Sequence, residues 1–420
     1  MAKQSSKREQ ELREYSLKRA DELKQKIKPY LENSKNIPTG LNLTEFYEAQ
    51  KERILNYFKA TQEDWDDWHW QMRNRISDVN TLSSIFPMTE ERKAEIAKTG
   101  NIFRWAVSPY YLSLMDFDNP SDPILLQGIP MGLELEDKKG EVDPMGEAMT
   151  SPAPCITRRY PDRLIINVTN ICGMYCRHCQ RRRNIGEIDQ HSKREDLIAA
   201  LDYVRANPEI RDVLITGGDA LLLSDSTLDW LLSELQSIPH VEIKRLGTRT
   251  PVTLPMRVTK KLADILAKYP PLYLNTQFNH SKEVTLESRK AVDKLVAAGV
   301  IVGNQAVLLK GVNNNPDVMK KMNHELLKIR VRPYYIFHAK KVKGTTHFIP
   351  SIQEGLDIMK ALRGFTSGLA IPTYIVNAPQ GGGKTPLLPE YLVSLDDDKA
   401  VLRTWEDKIV DYDTDSDTDS

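Results

Sequence analysis

Between about residue 157 and residue 377, short apolar segments rich in β-branched residues alternate with helical patterns, and this alternation restricts the fold more than any other feature. The predicted strands are Leu164–Val168, Asp212–Thr216, Val241–Leu246, Leu272–Gln277, Val300–Leu308, Arg330–Phe337 and Ile371–Asn377. Ser192 and Glu195 have the spacing of a capping box, and Gly299 stands where a C-terminal helix cap is expected. Such α/β alternation indicates a parallel sheet with helical crossovers, and about seven strands favour a full or incomplete β/α barrel over a doubly wound sheet.

The rest of the chain divides into regions of different composition. Residues 1–60 are predicted to form a charged helical extension, and residues 61–157 a helical N-terminal region with a proline- and acid-rich connection. The barrel is assigned to residues 158–385, and a C-terminal segment covers residues 386–420. Its end, DYDTDSDTDS, is acidic and of low complexity, so we predict that it is disordered.

Charge and hydropathy limit the classes of partner. Lys and Arg together number 58, and so do Asp and Glu, so the formal net charge is zero and gives no general attraction to nucleic acid. The longest apolar runs are too short to cross a bilayer, and the N-terminus lacks a secretory signal pattern. We expect a cytoplasmic protein that binds neither membrane nor nucleic acid.

Three of the four cysteines, Cys172, Cys176 and Cys179, lie within eight residues, directly after the first predicted strand. The carboxyl ends of strands are where β/α barrels carry their chemistry. Three thiolates can hold three corners of a [4Fe–4S] cluster and leave one iron open. The alternative is a zinc-holding nucleic-acid-binding module with His178 as the fourth ligand, although the position of His178 between two cysteines makes that geometry cramped.

Two glycine-containing loops follow other predicted strands. Thr216-Gly217-Gly218-Asp219 ends the second strand, and Asn377-Ala-Pro-Gln-Gly-Gly-Gly-Lys384 ends the last one. The second loop lacks the spacing of a Walker motif. It presents a lysine on a flexible backbone, and lysine is the side chain that bonds carbonyl cofactors covalently. Without further context, an exposed loop lysine is the ordinary interpretation.

From about Trp65 to Glu406, the chain resembles the lysine 2,3-aminomutase family of the radical S-adenosylmethionine superfamily. The CxxxCxxC spacing and the Gly-Gly motif match the superfamily, and the stretches shared with the family include WDDWHWQMRNRI, PYYLSLMD, RYPDR, GTRTP, NTQFNH, RVRPYYI and APQGGGKTP. The resemblance implies an incomplete parallel β/α barrel of the radical S-adenosylmethionine type with a helical N-terminal region. It also implies three cofactors, namely a [4Fe–4S] cluster on the three cysteines, S-adenosylmethionine and pyridoxal phosphate.

The resemblance also implies roles for single residues. Lys384 falls at the catalytic lysine that carries pyridoxal phosphate, and Arg159 and Tyr160 fall at the phosphate and ring of that cofactor. Arg181 falls at the arginine that pairs with the α-carboxylate of the substrate, a role suited to a bidentate guanidinium. The contacts implied for S-adenosylmethionine are His178, Gly217, Gly218, Asp219 and Gln305.

Two further positions indicate the substrate. In members of the family that act on lysine, two aspartates hold the distal ammonium, and the matching positions here are Lys340 and Asn377. A cation at this place repels lysine and attracts a distal carboxylate, so we expect interconversion of L-glutamate and β-glutamate; aspartate is too short to span the same site. A lysine 2,3-aminomutase or a lysine-modifying relative is the alternative. The resemblance also implies an electron donor such as flavodoxin or ferredoxin, and a homo-oligomer.

Overall fold

The computed structural model describes the backbone of residues 2–413 and the side chains of residues 7–413, and the chain divides into two compact units after Pro38. The first unit contains helix α1, Ala2–Asn33, and a 3₁₀ turn at Ser34–Asn36. The predicted extension over residues 1–60 also covers helix α2, Thr44–Phe58, which belongs to the second unit. Among the described residues, no helix combines the length and hydropathy needed to span a membrane.

The second unit begins with a series of helices. They are α2, α3 (Gln62–Asp66), α4 (Trp68–Arg73), α5 (Val79–Ile85), α6 (Glu90–Ile102), α7 (Pro109–Ser113) and α8 (Leu125–Gly128). Several of them begin at a side chain that accepts a hydrogen bond from the first turn: Thr61, Asp67, Asp78, Thr89 and Ser108. These N-caps satisfy backbone N–H groups that have no partner inside the helix, so local sequence determines where the helices start.

Nine strands form one sheet in the order of the sequence. Strands β1 to β9 are Ile156–Thr157, Arg163–Asn167, Asp212–Thr216, Ile243–Gly247, Leu272–Thr276, Ile301–Leu308, Arg332–His338, Thr373–Ala378 and Gly383–Leu387. Neighbouring strands from β2 to β8 are parallel, whereas β1 and β9 pair antiparallel at the two edges. The edge strands do not pair with each other, so the predicted incomplete β/α barrel is confirmed.

Helices connect the consecutive parallel strands. They are α9 (Arg194–Ala206), α10 (Asp225–Gln236), α11 (Thr250–Thr253), α12 (Lys260–Leu266), α13 (Leu286–Ala297), α14 (Pro316–Lys328) and α15 (Ile352–Leu362). Each crossover brings the next strand beside the previous one, which is the topology of a singly wound barrel.

The two predicted helix boundaries have different outcomes. Gly299 follows α13 with a φ of +79°, the left-handed conformation expected of a C-terminal cap glycine. The predicted capping box at Ser192 and Glu195 is wrong, because α9 begins at Arg194 and its N-cap residue makes no side-chain bond. The Ser192 hydroxyl instead donates to Asn167 O at the end of β2, at 2.8 Å, so a tertiary partner replaces the local one.

Alternate residues of the parallel strands face opposite sides of the sheet. Ile166 and Ile215 are fully buried in the main hydrophobic core. Their strand neighbours Ile165 and Leu214, together with Asn275, line an internal cavity. The loops that follow the carboxyl ends of the strands surround the same cavity, which is where the barrel prediction places the site.

The C-terminal segment forms a separate antiparallel sheet of β10 (Leu392–Leu395), β11 (Lys399–Arg403) and β12 (Ile409–Asp413). The tail predicted to be disordered starts at Asp411, whereas β12 continues to Asp413. The remaining residues of the tail, 414–420, lie outside the described residues.

Candidate active site

One cavity brings together nearly all of the predicted site residues. Its lining includes Arg159, Cys172, Cys176, His178, Cys179, Arg181, Gly217, Gly218, Asp219, Gln305, Lys340, Asn377 and Lys384. Tyr160 is the one predicted residue outside the lining, and its hydroxyl accepts a hydrogen bond from the Lys384 N–H at 2.9 Å. Residues that are remote in the chain thus meet because parallel strands end at one edge of the sheet.

The cysteine loop leads from the end of β2 into this cavity. Its three thiols are free, and burial raises the pKa of Cys172 and of Cys179. Among the described residues, no three His, Cys, Asp or Glu side chains surround a point where a single metal ion could bind. In a [4Fe–4S] cluster each thiolate binds a different iron, so three cysteines of one loop can hold three of its corners.

Gly217 and Gly218 hold the β3 loop against the start of the cysteine loop. Gly217 has a φ of +132°, and a Cβ atom there would lie 2.5 Å from Thr169 O. A Cβ atom on Gly218 would clash with Ile171 O, and the Gly218 N–H donates to Thr169 O at 2.5 Å. The glycines are therefore required for the backbone contact that positions the cysteines.

Asp219 is held by the protein itself. Its carboxylate accepts hydrogen bonds from Thr248 Oγ1 at 2.5 Å and from the Arg249 N–H at 2.8 Å, and it is buried. The side chain thus joins the loops that follow β3 and β4. The contact with S-adenosylmethionine predicted for Asp219 stays a prediction.

Arg249 is a residue of this region that the sequence analysis missed, although the GTRTP stretch contains it. Its Nη1 donates to Cys176 Sγ at 2.9 Å, and its Nη2 donates to Glu283 Oε1 at 2.7 Å and to Gln127 Oε1 at 2.6 Å. Glu283 is fully buried and balances the guanidinium charge. A buried cation is therefore fixed against one cysteine sulfur.

His178 lines the cavity, and its Nε2 faces two side-chain amides. Its Nε2 is 2.9 Å from Gln277 Nε2 and 3.3 Å from Asn279 Nδ2, which are amide donors. Burial, with Arg249 and Arg182 nearby, lowers the pKa of His178. Because Nε2 accepts, the proton is assigned to Nδ1, which is buried and has no hydrogen-bond partner among the described residues. A polar atom of a bound molecule can satisfy it, and Gln305 lines the same cavity.

Lys384 stands at the start of β9, directly opposite Asn377 of β8 in the antiparallel register. Gly381 and Gly383 have φ values of +80° and +88°, which only glycine adopts without strain, so the turn needs its glycines. Burial, followed by the charges of Arg245 and Arg163, lowers the pKa of Lys384 to about 8. Near neutral pH a fraction of this side chain is therefore the uncharged amine that can attack a carbonyl.

Aromatic rings and a guanidinium lie beside Lys384. Its Nζ is 4.9 Å from the ring centre of Tyr335 and 5.4 Å from that of Phe337. Arg159 Nη1 is buried without a hydrogen-bond partner among the described residues. An unpaired buried guanidinium nitrogen close to a lysine fits an absent anion such as a phosphate. Arg163, which the sequence analysis did not assign, lies 4.1 Å from the ring centre of Tyr160.

Glu147 is the second residue that the sequence analysis missed. Its buried carboxylate accepts from Arg181 Nη2 at 3.1 Å and Arg181 Nε at 3.2 Å, and from Arg159 Nη2 at 3.5 Å. Burial opposes the ionisation of Glu147, but Arg181 and Arg159 hold its pKa below the ordinary value. One carboxylate thus orients the two arginines predicted to bind substrate and cofactor.

Lys340 lines the cavity, whereas the adjacent Lys341 is exposed and does not. Lys340 Nζ donates to Gln180 Oε1. Burial, followed by the charges of Arg181 and Arg159, lowers the pKa of Lys340 to about 7. Asn377 Nδ2 is buried without a partner among the described residues. Lys340 and Asn377 therefore offer two donors to the cavity, and Glu147 is a carboxylate whose charge acts on Lys340.

Comparison with known proteins identifies close relatives. A family model described as Lysine-2,3-aminomutase matches residues 359–419, and one for the Radical SAM superfamily matches residues 166–322. The chain is 58% identical over 395 residues to glutamate 2,3-aminomutase of Clostridioides difficile (strain 630), covering 94% of each chain. It is 49% identical over 362 residues to L-lysine 2,3-aminomutase of Clostridium subterminale, covering 86% of this chain and 87% of the relative.

Proposed function

Because this chain belongs to the lysine 2,3-aminomutase family of radical S-adenosylmethionine enzymes, we propose that it interconverts L-glutamate and β-glutamate by moving the amino group between C2 and C3. The chain is an isomerase, and its cofactors are a [4Fe–4S] cluster, S-adenosylmethionine and pyridoxal phosphate. The observation that carries the choice of substrate is the ammonium of Lys340 in the cavity that also holds the unpartnered amide of Asn377.

The residues of the cavity fit the three cofactors. When bound, the cluster and S-adenosylmethionine supply a carbon radical that abstracts hydrogen, and pyridoxal phosphate supplies a carbonyl that holds the migrating amino group. Cys172, Cys176 and Cys179 would hold the cluster. Lys384 would hold pyridoxal phosphate, with the free Arg159 Nη1 at its phosphate. The protein's own contribution is to fix these groups and to exclude water.

The charges of the cavity favour a substrate with two carboxylates. Arg181 presents a guanidinium for the α-carboxylate, and Lys340 presents an ammonium for the distal one. Hydrogen bonds to charged groups contribute about 1.5–3 kcal/mol each. Asn377 Nδ2 can add a further donor to the distal carboxylate, which would also satisfy its unpaired N–H.

The same charges disfavour lysine. A distal ammonium would meet the ammonium of Lys340 at close range in a partly buried site, and the two like charges would repel each other. Burial, followed by the charges of Arg181 and Arg159, already lowers the pKa of Lys340. Among the described residues of the cavity lining, Asp219 is the only carboxylate that could pair with a distal ammonium. Asp219 already accepts hydrogen bonds from Thr248 and Arg249. The relative that shares 58% identity bears the name of a glutamate enzyme, which supports the same choice.

The assay is an anaerobic incubation of the reconstituted enzyme with S-adenosylmethionine, dithionite and either L-glutamate or L-lysine. Product analysis should detect β-glutamate from the first substrate and at most a trace of β-lysine from the second. β-Lysine as the only product would overturn the proposal and establish the lysine alternative.

A double variant tests the residues that select the substrate. Lys340→Asp with Asn377→Asp replaces a donor pair by two anions, so kcat/KM for glutamate should fall by about 100-fold or more, given the loss of one charge-assisted bond and a new repulsion. Lys341→Asp is the matched control, since this neighbour is exposed and outside the cavity lining. Unchanged glutamate turnover in the double variant would show that the distal carboxylate binds elsewhere.

Two further expectations belong to the proposal. The reaction needs an external one-electron donor, for which flavodoxin or ferredoxin is the expected class, and we expect a homo-oligomer. Size measurement in solution tests the second expectation, and a monomer at assay concentration would contradict it.

A further inference from the structure

A wide groove lies outside the cavity, on the surface behind the cysteine loop. Its volume is about 910 Å³, and its lining comes from the end of α4, the segment after α6, the cysteine loop and the loop after β7. Six cationic side chains line it: Arg73, Arg75, Arg104, Arg182, Arg183 and Lys343. Glu187 is the only carboxylate among its described lining residues. We call this surface the basic groove.

The floor of the basic groove is the outer side of the predicted cluster site. Arg75 Nη1 donates to the backbone oxygen of Cys172 at 2.7 Å. Ile185 lines both the basic groove and the cavity, and it packs with Ala106 and Tyr175 against Cys172 and Cys179. Ile185 therefore lies between the groove and the cysteines.

The groove also has the composition of a protein-binding surface. Ile102 and Val142 lie in the lining and are 62% and 61% exposed, so large apolar side chains stand among the cations. Protein interfaces combine apolar contacts with complementary charge, and charge mainly sets the rate and the choice of partner. Asp189, which pairs with Arg75 and Arg104 and so fixes their positions, does not line the groove.

We propose that the basic groove is the docking surface for a small acidic electron-carrier protein that reduces the cluster through the wall formed by Ile185. This inference rests on the proposed function, which requires one electron per activation. One electron leaves the reduced carrier, which returns to its oxidised form, and enters the cluster, which passes from [4Fe–4S]²⁺ to [4Fe–4S]⁺; no atom is transferred. A negative carrier surface matches this lining, which holds six cations and one carboxylate. The five arginines among them pair with carboxylates that do not line the groove: Asp67, Glu134, Asp143 and Asp189.

The test uses charge reversal at the edge of the groove. Arg73→Glu with Lys343→Glu changes two exposed lining residues; the side chain of Arg73 is 67% exposed and pairs only with Asp67, at 3.4 Å, in the described structure. The holoenzyme is mixed with a reduced acidic flavodoxin in the absence of amino acid, and cluster reduction is followed by absorbance and electron paramagnetic resonance. At low ionic strength the bimolecular rate should fall by about 10-fold, and the difference should shrink in 0.5 M salt, as expected for steering by charge.

Two controls separate docking from damage. Lys260→Glu with Lys261→Glu reverses two lysines that are 86% and 77% exposed on α12, outside the groove, and should leave the rate unchanged. Dithionite is too small to need a docking surface, so its reduction of the cluster should be equal in wild type and variant. An unchanged rate with flavodoxin would overturn the proposal, and so would an equal loss with dithionite, because the charges would then act on the cluster itself.

A third control concerns the acidic tail of this chain, because its negative charge is also complementary to the positive charge of the basic groove. A chain that ends at Asp413 should respond to the charge reversal as the full chain does. If only the shortened chain responds, the tail occupies the groove and the carrier proposal fails. Cluster reduction is measured without amino acid, so failure to convert glutamate with dithionite would contradict the proposed function alone.

Discussion

The cavity has two regions whose polar groups are arranged in opposite ways. In the cysteine region, backbone contacts and buried side-chain bonds connect the loops after β2, β3 and β4, and Arg249 is paired with Glu283 and Cys176. The lysine region is formed by Arg159, Arg181, Lys340, Asn377 and Lys384. Two donors there, Arg159 Nη1 and Asn377 Nδ2, are buried without a hydrogen-bond partner among the described residues, and both lysines have lowered pKa values.

The difference in hydrogen-bond partners between the two regions indicates where the protein satisfies its own polar groups and where a ligand would have to do so. In the cysteine region, hydrogen bonds within the protein join the loops to one another. The lysine region concentrates positive charge around one buried carboxylate, Glu147, so bound anions would balance further charge there. Substitutions should therefore act on assembly in the first region and on ligand affinity in the second.

The largest effect is expected for Lys384→Ala. The alanine cannot bond the cofactor carbonyl, so turnover should fall by about 1,000-fold or more, as for the loss of a covalent catalytic residue. Absorbance of bound pyridoxal phosphate and product formation measure this. Iron content should equal that of the wild type, since Lys384 makes none of the contacts described for the cysteine loop. A parallel loss of iron would show that the two regions are not separate.

Lys340→Gln should affect substrate binding alone. It removes one charge-assisted bond of about 1.5–3 kcal/mol, so KM for glutamate should rise by about 10- to 100-fold while pyridoxal phosphate binding stays the same. Steady-state kinetics and a cofactor titration provide the two readouts. Weaker cofactor binding of the same size would place Lys340 at the cofactor and not at the distal carboxylate.

Gly218→Ala tests the frame of the cysteine region. Its Cβ atom would clash with Ile171 O, so the cysteine loop must shift, at a cost of about 1–3 kcal/mol. Thermal unfolding and iron content per chain should both decrease. Gly368→Ala is the control, because nothing lies within 4 Å of a Cβ atom at that glycine. Normal iron content in Gly218→Ala would show that the loop contact is dispensable.

The sequence alone predicted the parallel strands well, because the short β-branched segments of β2 to β8 favour a strand over a helix. The observed bounds differ from the predicted ones by two residues or fewer. The error at Ser192 arose where a distant acceptor, Asn167 O, competes with the helix terminus for the hydroxyl. Local patterns contain no information about such distant partners.

Prediction of the site residues was limited in the same way, by contacts between residues that are distant in the sequence. Residues in dense motifs, such as Cys172 and Lys384, could be found from the sequence, since chemistry and spacing coincide there. Glu147 lies in an aperiodic connection, and its importance depends on Arg159 and Arg181, which only the fold brings to it. Gln180 follows Cys179, but its contact with Lys340 crosses 160 residues of chain and could not be inferred from either motif.

The smallest expected effect is the pH dependence of the two lysines, which should have opposite signs. Burial, then Arg181 and Arg159, lowers the pKa of Lys340 to about 7, and the distal carboxylate needs its ammonium form, so KM for glutamate should rise several-fold as pH increases from about 7. Lys384, with a pKa lowered to about 8 by burial, Arg245 and Arg163, must lose its proton to attack a carbonyl, so cofactor loading should become faster up to about pH 8. KM and loading rate are measured between pH 6.5 and 9. In Lys340→Gln the KM profile should be flat while the loading profile is retained, and a KM profile that keeps its slope in this variant would assign the titration to another group.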